Sequence, residues 1–291
     1  MRNLFSPTVM LAVLAFGAAS AATMDSAAID TNLGRSGQAM DGGVYRVAFP
    51  RSDLTVKIGS VPLLPGFALG GYAAFVPAND RALVVGDLVL LDSEIQPVME
   101  SLEKSGYQIT AVHNHLRDEQ PHVMYMHIMA EGDPGTLAKN LRAALALSKT
   151  PLGPMAKAVA QPLPFKEAIE QGLGRSGKVN GRVLSIGVPR SETITMDGVT
   201  IPPAAGVATA MNFQDAGNGS VATTGDFVLL PAEVPEVQKA LLGHGFEVTA
   251  LHSHMLGDSP HVFYMHFWAV GKPAAIAAGL KDALSHVDAK Q

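Results

Sequence analysis

The strongest constraint on the fold of this chain is that it is written twice. Residues 106–127 read GYQITAVHNHLRDEQPHVMYMH and residues 245–266 read GFEVTALHSHMLGDSPHVFYMH. Half of these positions match, and His113, His115, His122 and His127 return as His252, His254, His261 and His266, each 139 residues later. To within one residue the same offset carries Leu33-Gly34-Arg35-Ser36-Gly37 onto Leu173-Gly174-Arg175-Ser176-Gly177, Pro50-Arg51-Ser52 onto Pro189-Arg190-Ser191, and Gly86-Asp87 onto Gly225-Asp226. Self-similarity over such a length makes each copy one structural unit. Between them Thr150 to Pro164 holds four prolines and no helical or strand period, which reads as a linker. The expected organisation is a signal peptide at 1–22, a first repeat at 23–149, a Pro-rich linker at 150–164 and a second repeat at 165–291.

Within each copy the elements follow one order. A short helix ends at Leu-Gly-Arg-Ser-Gly, and strand-like runs follow at Val44–Pro50, Leu54–Ile58, Ala68–Val76 and Ala82–Leu91. Ser93 and Glu94 open a helix that Gly106 stops, two histidine-bearing strands come next, and a last helix starts at Pro134. Hairpins outnumber strand-helix-strand crossovers. The expected class is therefore α+β, two homologous repeats, each a mainly antiparallel sheet with two or three helices.

The first residues look like an export signal. Arg2 precedes the apolar stretch Val9 to Ala19, and Ala19-Ser20-Ala21 matches an A-x-A cleavage pattern. Cleavage near Ala22 would leave a periplasmic or secreted protein with no membrane anchor. Losing Arg2 takes Lys+Arg from 21 to 20 against 26 Asp+Glu, a net charge of −6, which argues against a nucleic-acid partner. The absence of cysteine excludes disulfides, thiolate ligands and lipidation at cysteine.

Strict strand alternation would put His113 and His115 on one face, ~7 Å apart. If Leu116 to Pro121 closes a hairpin, His115 stands opposite His122, with Cβ atoms ~5 Å apart. Three imidazoles then converge in each copy, His113, His115 and His122 in the first and His252, His254 and His261 in the second. Such a set suits a divalent transition metal with an open fourth position. In this register His127 and His266 leave the opposite face. They are supporting or alternative ligands only if a β-bulge rotates the strand or they serve the other copy's site. The alternatives to metal are a hydrogen-bonded structural hairpin and metal-free acid-base chemistry. Zinc is the first expectation for the ion. Copper is the alternative, because Met126 and Met265 stand beside the histidines and thioether with imidazole suits it.

Glu94 and Glu233 are candidates for a catalytic base acting on metal-bound water, and equally for helix N-terminal charges. Arg35, Arg51, Arg175 and Arg190 are candidates for clamping an anionic ligand, with salt bridges as the alternative. Asp87 and Asp226, each after a glycine, read as turn residues.

The set formed by Leu-Gly-Arg-Ser-Gly, Pro50-Arg51-Ser52-Asp53, Gly86-Asp87-Leu88-Val89-Leu90 and His113-Asn114-His115 to Met124-Tyr125-Met126-His127 resembles the LppY/LpqO family, a bacterial domain of unknown function. The resemblance implies export, its name coming from mycobacterial lipoproteins, but transfers no activity. Taken together, the sequence suggests an exported metal-binding protein with a three-histidine site per repeat, acting as a hydrolase or lyase on a small polar or anionic molecule. The alternative is a periplasmic metal- or ligand-binding protein without turnover.

Overall fold

A computed structural model describes residues 24–290, so the signal-peptide segment lies outside the described residues. The first repeat runs α1 (Ser26–Leu33), β1 (Gln38–Ala39), β2 (Tyr45–Pro50), β3 (Lys57–Ile58), β4 (Val61–Pro62), the single turn α2 (Pro65–Ala68), β5 (Gly70–Ala78), β6 (Arg81–Leu90), α3 (Asp92–Lys104), β7 (Gln108–His113), β8 (Glu119–Gln120), β9 (Met124–Gly132) and α4 (Pro134–Leu145). The second runs α5 (Lys166–Leu173), β10 (Lys178–Asn180), β11 (Val183–Pro189), β12 (Ile194–Met196), β13 (Val199–Ile201), β14 (Ala208–Gly217), β15 (Ser220–Leu229), α6 (Val234–Gly243), β16 (Glu247–His252), β17 (Asp258–Ser259), β18 (Phe263–Gly271) and α7 (Pro273–Leu284). Residues 150–164 carry neither helix nor strand.

Each repeat builds one six-stranded antiparallel sheet, in the orders β1-β2-β5-β6-β9-β7 and β10-β11-β14-β15-β18-β16, so the α+β expectation of two mainly antiparallel repeats holds. One face of the first sheet is covered by α1, α3 and α4, through Ile29, Leu33, Val98, Leu102 and Leu141 against Phe49, Phe75, Leu88 and Met126. The other face packs against the second repeat. Val76, Leu83 and Val85 share a core with Ile194, Ile201 and Val228, while Phe67, Leu69 and Val89 share another with Val183 and Trp268. The layers therefore run helix, sheet, sheet, helix. This explains why β6 reads as a nearly unbroken apolar run rather than an alternating one: both of its faces are covered.

Local chemistry sets the helix ends. The Glu94 carboxylate accepts the Leu91 N–H at 2.9 Å at the start of α3, and Asp133 accepts the Thr136 N–H at 2.8 Å ahead of Pro134 in α4. Gly34 closes α1 at φ +73°, in the left-handed region that glycine enters at little cost. Leu116 to Pro121 departs from the expected hairpin loop, because β8 leaves to pair with β3 in a small three-stranded sheet with β4. β17 does the same with β12 and β13.

Candidate metal centre

The decisive local feature is a β-bulge in the strand before the histidines. Ile109 pairs with Ile128, and the next pairs are Ala111 with His127 and His113 with Tyr125, so Thr110 is an extra residue on β7. An extra residue reverses the parity of everything after it. Tyr107 and Ile109 point into the helix-side core with Met126 and Ile128, whereas Ala111 and His113 turn to the face of Tyr125 and His127. The second repeat repeats the device at Thr249: Val248 pairs with Phe267, Ala250 with His266 and His252 with Tyr264. The expectation of strict alternation is corrected here. His127 and His266 lie with the other histidines, and His122 and His261 do not.

His122 instead stands 2.7 Å from Glu119 and His261 2.9 Å from Asp258, and both rings are more than two-fifths exposed. The departure of β8 and β17 to the small sheets carries them away. What converges is a cage of six imidazoles contributed by both repeats. His113 lies over His252 with ring centroids 3.6 Å apart, His127 over His254 at 3.6 Å, and His115 over His266 at 3.8 Å. Exchanging the repeats maps the first contact onto itself and the other two onto each other, the signature of a pseudo-twofold axis between His113 and His252. The bulge threonines obey the same exchange: Thr110 Oγ1 donates to the His254 carbonyl and Thr249 Oγ1 to the His115 carbonyl, each at 2.6 Å. Tyr125 stacks on His115 and Tyr264 on His254, both at 3.5 Å, closing the ends of the cage.

Asp87 and Asp226 join this cage. They stand on β6 and β15 directly across from His127 and His266. Gly86 lets the strands close up, since a Cβ there would stand 2.7 Å from the Tyr72 carbonyl oxygen, and one on Gly225 would collide with the Ala210 carbonyl. Asp87 Oδ1 is 3.7 Å from His127 Nε2 and its Oδ2 is 3.8 Å from His115 Nε2. Asp226 Oδ1 lies 2.7 Å from His266 Nδ1, at an angle too poor for a hydrogen bond. The turn reading of these aspartates is thereby replaced. A lone carboxylate inside the apolar run Val84 to Leu90 was the available signal, since nothing polar belongs in a strand buried on both faces without a task.

Burial makes the imidazoles hard to protonate. It lowers His113 to about 4 and His252 to about 2, and holds His115, His127 and His254 well below the usual value, with repulsion from neighbouring histidines adding to each. At neutral pH these five rings are neutral, each with a lone pair to offer. Burial also raises Asp87 well above the carboxylate range, helped by Asp226 and opposed by Arg46.

The buried atoms without a hydrogen-bond partner include Nε2 of His113, His115 and His127, Nδ1 of His266 and Oδ1 of Asp87. Ligand atoms of His113, His115, His254 and His266 all lie within 4.8 Å of one another, as do those of Asp87, His115 and His127. In the second repeat His252 Nε2 is 2.9 Å from His254 Nε2 and 3.3 Å from His266 Nε2. One nitrogen carries at most one proton and cannot satisfy two neighbours at once. Orphaned imidazole nitrogens around a common point are what a transition ion would satisfy, so the residues fit one. Beside His127 and His254 lies a cavity of about 20 Å³, also lined by Tyr72, Thr110 and Tyr264, which holds roughly one water.

The other expected site residues lie in two buried knots. Arg51, fully buried, spends all five N–H groups on Asp53, Glu94 and the Val89 carbonyl. Arg190 does the same with Glu192, Glu233 and the Val228 carbonyl. Neither arginine keeps a donor for an anion. Glu94 also accepts the N–H groups of Leu91 and Lys149, and Glu233 those of Leu230 and Asp288, which binds both carboxylates to structural duties. Burial pushes the Glu94 carboxyl up, but the bonds from Arg51 and the backbone prevail and leave it lowered. Arg35 donates to the carbonyls of Ala48, Pro151 and Gly153, pinning the linker to the first repeat. Arg175 is half-buried just beyond α5, and its side chain makes no hydrogen bond among the described residues. Met126 and Met265 are buried in the helix-side cores, on the strand faces opposite His127 and His266.

A comparison with curated proteins finds no match. Among solved structures the chain is similar to the trimeric bacterial microcompartment shell protein PduB, at 12% identity over 86% of this chain and 89% of that one, with a TM-score of 0.23. It is similar also to EtuB from Clostridium kluyveri, at 10% identity over 85% and 90% of the two chains, with a TM-score of 0.20. Likenesses this weak carry no inference about fold or function. The family described as Domain of Unknown Function (DUF1259) matches residues 27–147 and again residues 167–286, which covers most of both repeats, and the chain belongs to that family as a tandem pair.

Proposed function

We propose that this protein binds a divalent transition metal in the histidine cage between its two repeats. The observation that carries this reading is the pair of groups whose ligand atoms lie within 4.8 Å of one another, together with the buried imidazole nitrogens among them that lack hydrogen-bond partners. An unpaired buried polar atom costs about 1–3 kcal/mol, and several in one place call for a common partner. A metal ion is such a partner, and the neutral imidazoles give up no proton to bind it. Zinc is the first assignment within this proposal, given nitrogen and oxygen donors without sulfur. Copper is the weaker one, since the thioethers of Met126 and Met265 lie in the helix-side cores.

Binding without turnover is the better-supported role. The space beside the histidines admits about one water, and Glu94 and Glu233 are held by Arg51 and Arg190. A hydrolase or lyase acting on a small polar or anionic molecule would have to open the cage between Tyr125 and Tyr264. An exported setting, periplasmic or secreted, belongs to the proposal. It rests on Val9 to Ala21 and on the resemblance to the LppY/LpqO family, and an intact Met1 on a cytosolic species would refute it.

The test is elemental analysis of the mature chain, purified without a histidine tag and reconstituted with zinc, copper, manganese or nickel. Bound metal is expected in fixed proportion. It should fall sharply in His115→Ala/His254→Ala and stay unchanged in His122→Ala/His261→Ala. A wild-type protein that takes up none of these metals overturns the proposal.

A further inference from the structure

The two aspartates extend the cage beyond its imidazoles. The oxygens of Asp87 face His127 Nε2 at 3.7 Å and His115 Nε2 at 3.8 Å. These separations are too long for hydrogen bonds, which span about 2.7–3.2 Å. They are close to what two donors keep when each sits ~2.1 Å from one ion at a tetrahedral angle, about 3.4 Å. Asp87 and His127 are buried and His115 is 14% exposed, and Oδ1 of Asp87 and Nε2 of both histidines are buried atoms with no other partner. Asp87 lies in a strand covered on both faces and forms no salt bridge with a lysine or arginine among the described residues. Asp226 occupies the equivalent strand position in the second repeat, with its Oδ1 2.7 Å from His266 Nδ1.

We infer that Asp87 and Asp226 are metal ligands and that the cage holds two ions, one on each side of the pseudo-twofold axis, each bound by one aspartate and two histidines of its own repeat. The first set is Asp87, His115 and His127, and repeat equivalence gives Asp226, His254 and His266 as the second. At the axis His113 lies beside His115 and His127, and His252 beside His254 and His266, with ring centroids 4.8–5.1 Å apart. Two imidazoles and a carboxylate select a borderline divalent ion such as Zn²⁺, Fe²⁺, Mn²⁺ or Co²⁺ and disfavour Cu⁺, which prefers sulfur. The inference rests on the reading of the cage as a metal site and adds the aspartates, the count and the class of ion.

Cobalt(II) is the probe, because its visible absorption reports the donor set and its titration reports the count. Wild-type mature chain is expected to saturate at two Co²⁺ per molecule. Asp87→Asn should saturate at one, and Asp87→Asn/Asp226→Asn should weaken binding at least tenfold at both positions. Asn matches Asp in volume. Should Asp87→Asn fail to fold, Asp226→Asn, whose side chain is 28% exposed, gives the same reading from the other half. Saturation of the wild type at one ion overturns the two-ion inference. Wild-type affinity and count in the double variant overturn the aspartates as ligands. A wild type that binds no cobalt is a different failure, that of the cage as a metal site.

Discussion

Replacing Arg51 by Met should unfold the protein well before it disturbs metal binding. The guanidinium is fully buried and makes five hydrogen bonds of 2.7–3.2 Å to Asp53, Glu94 and the Val89 carbonyl. Methionine fills much of the same space but leaves Glu94, 7% exposed, as a buried carboxylate without its cation. Breaking one side of a buried pair costs about 3–5 kcal/mol, and the orphaned Val89 carbonyl adds ~1 kcal/mol or more. For a chain of this size 4 kcal/mol corresponds to a fall of roughly 10 °C in Tm. Adding Glu94→Gln should recover part of the loss, because the unpaired charge disappears. Urea denaturation of the four members of the cycle gives the coupling between Arg51 and Glu94, expected at several kcal/mol in favour of the pair. The argument fails if Arg51→Met costs less than about 1 kcal/mol, or if it removes bound metal from a protein that remains as stable as the wild type.

Acid should destabilise the metal-free protein from the histidine side first. Folding lowers His113 from its ordinary 6.5 to about 4, so between those values the unfolded chain takes up a proton that the folded chain refuses. Stability is therefore complete above about pH 6.5 and falls toward pH 4 by ~1.4 kcal/mol per pH unit for each such histidine, and denaturation midpoints that stay flat from pH 7 to 5 would contradict this. Thr110→Val and Thr249→Val each remove one hydrogen bond between the repeats, and each should lower stability by about 1 kcal/mol in chemical denaturation, with equal losses expected from the pseudo-symmetry. Either repeat expressed alone, as residues 23–149 or 165–291, should aggregate or self-associate on size exclusion, since it would expose the sheet face that carries Val76 and Val85 or Ile194 and Val228; a stable monomer of either would refute the shared core.

The architecture was legible because repetition and hairpin chemistry are local. Gly106 at φ +88°, Pro134 at the first turn of α4 and the covered run of β6 each show in the residues themselves. The identity of the cage as histidine was legible too. Its membership was not, because one inserted residue decides it. Thr110 looks like any strand threonine, and strict alternation from Tyr107 through His115 is the natural reading without the partner strand in view. The same local view missed that His115 meets His266 and that His127 meets His254, for no pattern within one copy says which face of its sheet the other copy will cover. Glu94 and Arg51 were legible as important but not as partners, being 43 positions apart and joined only by the fold.

The linker that Arg35 holds in place has a consequence for how the cage behaves on dilution. A pseudo-twofold axis between His113 and His252 means that one repeat alone could assemble an equivalent set of six rings only by pairing with a second copy of itself, a step that depends on protein concentration. Residues 150–164 convert that encounter into an intramolecular one, with each half presented to the other at an effective concentration on the order of millimolar. The cage of this chain is then complete at any dilution, whereas halves severed within 150–164 should lose it together on dilution and regain it as their concentration rises.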